Sequence, residues 1–81
     1  MQIYISDGAE SELSELPILT QNRIISKLEL YAQQEDPVKF AKYIALRKSY
    51  RFRIGDYRIF FVIKDSAMRV TEIARRDKAY N

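Results

Sequence analysis

The stretch from Tyr50 to Ile63, YRFRIGDYRIFFVI, constrains the fold more than any other part of the chain. Tyr50, Phe52 and Ile54 alternate with Arg51 and Arg53, a period of two that suits a strand with one buried and one polar face. Gly55-Asp56 follows, and glycine tolerates the dihedrals that a tight hairpin turn demands. Tyr57–Ile63 is then almost entirely apolar or aromatic, as expected of a central strand covered on both faces. Lys64–Ala67 reads as a second turn and Met68–Ala74 as a third strand. The C-terminal half therefore carries a three-stranded antiparallel meander.

The N-terminal half has a different period. Ile3 and Ile5 share one face of a short strand at Met1–Ile5, opposite Gln2 and Tyr4. Asp7 suits a helix N-cap, with Glu10 in capping-box position. Ala9, Leu13 and Leu16 then recur at helical spacing. Pro17 interrupts that helix and fits the first turn of another. Ile24, Ile25, Leu28 and Tyr31 form the stripe of this second helix, which fades before Pro37. Val38–Ala45 reads as a short helical turn or a loop. The expected architecture is α+β: an N-terminal strand, a helical hairpin and a three-stranded meander (β-α-α-β-β-β), with the helices on one face of the sheet. The 81 residues suffice for a single domain, 1–81. No repeat, linker or low-complexity segment divides it.

The charge is split along the chain. Residues 1–36 carry seven acids and two bases, whereas residues 37–81 carry twelve bases and four acids. The net charge of +3 is thus −5 in the first part and +8 in the second. Such blocking gives one part of the surface a positive field, which attracts phosphate backbones or acidic proteins. With neither cysteine nor histidine, disulfides and Cys/His zinc sites are excluded. No apolar run is long enough to span a membrane, and the N-terminus lacks the pattern of a signal peptide. A soluble, cytoplasmic protein is expected.

Much catalytic equipment is missing from the sequence. It has no histidine base, no thiol nucleophile and no glycine-rich phosphate loop. Glu10, Glu12 and Glu15 fall on a helix face expected to be solvated, so no carboxylate cluster for magnesium is expected, and no cofactor. What the sequence does supply is arginine on strands. Arg51 and Arg53 share a strand face, Arg58 follows the turn on the next strand, and Arg47 and Lys48 precede them. Guanidiniums so placed repel one another unless an anion lies between them, and their forks suit phosphate oxygens. Pairing of exposed arginines with helix acids is the alternative reading. Tyr80 stands in a charged tail, RRDKAY, where it could stack on a base or close the sheet edge.

YRFRIGDYRIFFVI closely resembles the sheet signature of RelE/ParE-type toxins, in which basic residues alternate on a strand before a Gly-x-Tyr-Arg turn. The tail IARRDKAY, Ile73–Tyr80, resembles the closing strand and tail of the RelE branch, and the N-terminal strand and the hairpin with its Leu16-Pro17 break are also similar. The resemblance spans essentially the whole chain. It implies the toxin of a type II toxin-antitoxin system, an endoribonuclease that cuts messenger RNA in the ribosomal A site without metal, by attack of the 2′-hydroxyl on its own phosphodiester. By position, Arg51 and Arg53 would contact the phosphate and assist proton transfer. Arg58 would hold the scissile phosphate, Arg76 would stabilise phosphorane charge or assist the leaving group, and Tyr80 would stack on or orient a base and help with proton transfer. Arg47, Lys48 and Arg75 extend the set of RNA-contacting candidates. The implied partners are an antitoxin with an acidic amphipathic segment, forming a heteromeric complex, and mRNA on the ribosome.

The chain departs from the family pattern in places. Related sites often hold a lysine, histidine or glutamate as proton acceptor, but arginine stays protonated to very high pH and is a poor general base. Lys48 and Tyr80 are the alternatives. Arg75 stands where many relatives have histidine, and Lys78 where an acid is common. Two further readings stay open: a ParE-like inhibitor of DNA gyrase without nuclease activity, and a catalytically inactive RNA-binding relative.

Overall fold

The computed structural model describes residues 1–76. Strand β1 (Gln2–Ile5) leads into helix α1 (Asp7–Ser14) and helix α2 (Ile18–Ala32). A 3-10 turn at Pro37–Phe40, strand β2 (Lys42–Ile44) and a second 3-10 turn at Ala45–Arg47 come next. Strands β3 (Ser49–Ile54), β4 (Tyr57–Lys64) and β5 (Ala67–Arg75) complete the described elements. The expected strand, hairpin and meander are all present. One strand, β2, was not anticipated: its three residues are too few to show a period, and pairing with β3 is what makes them extended.

The five strands form one sheet in the order β1-β5-β4-β3-β2. Pairing is antiparallel throughout except for β1, which runs parallel to β5 from Gln2↔Ala67 to Ile5↔Val70. The helical hairpin carries the chain across one face of the sheet, from β1 at one edge to β2 at the other. Both helices cover one face, where Ala9, Leu13, Ile24, Leu28 and Ala32 meet Phe52, Ile54, Ile59, Phe61, Met68, Val70 and Ile73. Aromatic contacts run through this layer. Tyr31 stacks on both Phe40 and Phe52, Phe52 stacks on Phe61 at 4.3 Å between centroids, and Phe61 stacks on Tyr50. Burying a phenylalanine completely contributes about 2–3 kcal/mol, so Phe52 and Phe61 are principal stabilisers of a sheet this small.

Two local expectations need correction. The cap of α1 is Ser6, not Asp7. Ser6 keeps extended dihedrals, its N–H bonds to the Val70 carbonyl, and its hydroxyl accepts the Ala9 N–H at 3.1 Å. Asp7 is instead the first helical residue, where its charge favours the helix N-terminus. Nor is Glu12 simply solvated. β1 flanks β5 only as far as Val70, and beyond that point Glu12 reaches down from α1 to accept the Ile73 N–H at 3.0 Å. The carboxylate thus closes a short stretch of open sheet edge.

An irregularity in β5 sets the phase of its second half. Phe60 faces Glu72 whereas Phe61 faces Val70, so Thr71 is the extra residue of a bulge. Its hydroxyl donates to the Phe60 carbonyl at 3.3 Å. Val70 and Ile73 both point at the helices as a result, and Glu72 points away from them.

Candidate functional site

The face of the sheet away from the helices carries the basic residues. Phe52 and Ile54 are committed to the core, so alternation turns Arg51 and Arg53 to the opposite side. On β4, Ile59 and Phe61 face the core, and Arg58 and Phe60 turn outward with the arginines. Register then brings these side chains together. Arg53 lies directly across from Arg58, and Arg51 lies between Lys42 on β2 and Phe60 on β4. Like charges facing each other across a ladder are unfavourable by themselves. An anion laid across the Arg53–Arg58 pair would accept hydrogen bonds from both guanidiniums.

Burial sharpens the chemistry. Arg58 is 1% exposed, while Arg53 remains exposed. A guanidinium withdrawn from water interacts more strongly with a neighbouring anion than one on an open surface. Arg76 is also brought to this end of the sheet. Its backbone N–H donates to the Asp56 carbonyl at 2.8 Å, tying the end of β5 to the turn that joins Arg53 to Arg58. Gly55 in that turn has φ +60, and a Cβ there would come 3.3 Å from Nη1 of Arg23, so both conformation and space favour glycine.

Arg47 has a different setting from the one its sequence position suggests. It leaves the 3-10 turn, crosses the open face and places its guanidinium carbon 3.7 Å from the centroid of the Phe60 ring. There it forms an ion pair with Glu72, through Nη2 and Oε1. Phe60 is covered in this way and is only 3% exposed, even though the helices lie on the other side. Lys48 is exposed beside Ser49, at the opposite end of β3 from Arg53. Arg75 pairs with Tyr57, which packs against the core, so it points to the helix side and lines a groove with Glu12 and Glu15. Tyr80 and Lys78 lie outside the described residues.

The basic face is therefore built from Lys42, Arg51, Arg53 and Arg58, with Arg47 folded over its middle and Arg76 at its rim. Lys42 and Glu72 were missed from the sequence. Lys42 sits on the unanticipated strand, and Glu72 reaches the face only because of the Thr71 bulge. The spacing of Val70 and Ile73, three apart in a strand, was the available signal for that bulge. Among the described residues no group of three acidic, histidine or cysteine side chains is arranged to hold a metal ion.

The sequence model of the ParE toxin of the parDE type II toxin-antitoxin system matches residues 3–80. The chain belongs to the ParE toxin family. Solved structures agree with that assignment at the level of the fold. This ParE-family toxin is similar to a chain of the archaeal RelE–RelB complex from Pyrococcus horikoshii OT3, with a TM-score of 0.72 and 21% identity over 95% of this chain and 96% of that one. It is also similar to a chain of the toxin-antitoxin complex RelBE2 from Mycobacterium tuberculosis, with a TM-score of 0.67 and 21% identity over 93% and 96%. No curated protein matches it significantly. The toxin thus sits within the RelE/ParE superfamily, with a ParE sequence pattern and RelE structural neighbours. None of its described helices is long and apolar enough to cross a membrane.

Proposed function

We propose that this toxin is an endoribonuclease that cleaves messenger RNA on the ribosome by attack of a 2′-hydroxyl on the adjacent phosphodiester. The observation that carries the reading is the register of the open face. Arg53 and Arg58 are directly opposed, Arg51 is one position away on the same strand face, and the Arg76 backbone is anchored at the same end. Preorganised cations aimed at developing negative charge are a large catalytic contribution in themselves, and they suit a phosphorane. In this reading Arg58 holds the scissile phosphate and Arg51 and Arg53 contact its oxygens. Arg76 stabilises the charge of the transition state, and Tyr80 stacks on a base. Reaction of this kind needs no metal and no cofactor.

The partner in this reading is an antitoxin with an acidic, amphipathic segment, attracted by the +8 half of the chain. That the two solved structures named above are complexes of a toxin with its antitoxin supports it. The cytoplasm is then the natural compartment, since ribosomes and messages are the targets.

Regulated expression in bacteria with primer extension on a well-translated message tests the proposal. Cuts inside codons, confined to translated regions and absent from the Arg58→Ala and Arg76→Ala variants, are the expected result. Full toxicity of both variants would sink it. The match to the ParE model favours a second reading, inhibition of DNA gyrase without RNA cleavage. Loss of supercoiling by purified gyrase, with messages intact, would establish that alternative.

A further inference from the structure

We infer that Glu72 is the general base of this site, the group that takes the proton from the attacking 2′-hydroxyl. The inference rests on the endoribonuclease reading above. Attack requires that this hydroxyl lose a proton, and the guanidiniums of the basic face cannot accept one. Among the described residues Glu72 is the one carboxylate on the strands of that face. The bulge at Thr71 turns it there, opposite Phe60. It stands diagonally from Arg58, whose own β5 partner is Ala74, two positions along. Diagonal neighbours of this kind have backbones roughly 7–8 Å apart, within reach of a glutamate and an arginine that address one phosphodiester from two sides.

Arg47 completes the arrangement. It pairs with Oε1 of Glu72 and stacks on Phe60, so the carboxylate is held in one orientation above the sheet. Oε2 is the oxygen that takes the proton. As the 2′-oxygen bonds to phosphorus, the bond from phosphorus to the 5′-oxygen breaks, and its electron pair stays on that oxygen, which takes a proton from solvent. The products are a 2′,3′-cyclic phosphate and a 5′-hydroxyl, and Glu72 then returns its proton to water. Among the described residues Asp56 is the competing carboxylate at this end of the sheet, but it is exposed in the β3–β4 turn, beyond the Arg53–Arg58 pair.

The test is the single-turnover rate of message cleavage on programmed ribosomes, measured against pH. With a protein group taking the proton, hydroxide is not needed for attack, and the wild-type rate should be nearly flat between about pH 6 and 8. Glu72→Gln should lower the rate about 100-fold or more and make it rise tenfold per pH unit, because hydroxide must then replace the base. Binding to the ribosome should be unchanged in that variant. Arg47→Ala breaks the same ion pair and should weaken binding, yet keep the flat profile. Asp56→Asn should keep it as well. If Glu72→Gln proves unstable to heat, Glu72→Asp is used instead and should show a slower but still flat rate. A flat, fast profile for Glu72→Gln, or a rising one for Asp56→Asn, overturns the assignment while leaving the nuclease reading intact. Absence of cleavage by the wild type overturns the nuclease reading itself.

Discussion

At the residue scale, two side chains show how much depends on what the backbone beside them lacks. Glu12 occupies the place where β1 has ended and an N–H of β5 would otherwise face no strand. A hydrogen bond to a charged acceptor contributes about 1.5–3 kcal/mol, so Glu12→Ala should destabilise the domain by about that amount, read as a lower urea midpoint with unchanged slope. Arg58 is the second case. It is buried on the face that the helices leave open, across from Arg53, and the proposed reading makes it the residue that holds the scissile phosphate. Arg58→Ala should cost about 10²–10³-fold in cleavage rate, measured at saturating ribosomes. If the same variant kept its rate and lost only thermal stability, Arg58 would have to be counted as part of the scaffold.

At the element scale, the strands were more legible than the connections. The alternation of Tyr50–Ile54 and the apolar run after Gly55 identify β3 and β4 directly, and the stripe of Ile24, Leu28 and Tyr31 identifies α2. The segment from Pro37 to Lys48 was not legible, since its two 3-10 turns and the three residues of β2 leave no period to read. Its backbone is also strained. Lys48 ends the second 3-10 turn with φ 50, in the left-handed region that suits glycine. Lys48→Gly should therefore stabilise the fold by roughly 0.5–1 kcal/mol, seen as a rise in Tm. In the core, Phe61→Ala should remove about 3–5 kcal/mol, enough to unfold much of a domain this small at ordinary temperature, as circular dichroism would show.

At the scale of the whole molecule, the sheet separates two tasks. One face is occupied by the helices and the aromatic stack, which provide stability, and the other displays cations gathered from β2, β3 and β4. Lys42, Arg51, Arg53 and Arg58, four of the bases that follow Pro37, are thereby brought to one surface. Binding of single-stranded RNA should consequently fall steeply with salt. Contact with three or four phosphates gives a slope of roughly −2 to −3 in log K against log salt. Arg53→Ala should reduce the magnitude of that slope by about 0.7, as filter binding across a salt series would measure. A slope unaffected by Arg53→Ala would place the bound strand elsewhere.

The fold class, the central hairpin and the shared face of Arg51 and Arg53 were legible in the sequence alone, because each follows from local periodicity and one turn. The sequence also carried the family resemblance that the match over residues 3–80 bears out. The tertiary structure decided what no local pattern encodes. Pairing with β3 turned three residues into a strand and added Lys42 to the basic face. A single extra residue at Thr71 reversed the phase of β5, which sent Ile73 inward and Glu72 outward. The Arg47–Glu72 pair joins residues 25 positions apart, and only the folded sheet brings them together over Phe60. Register is a property of two strands at once, so one strand read alone cannot reveal which charges it will face.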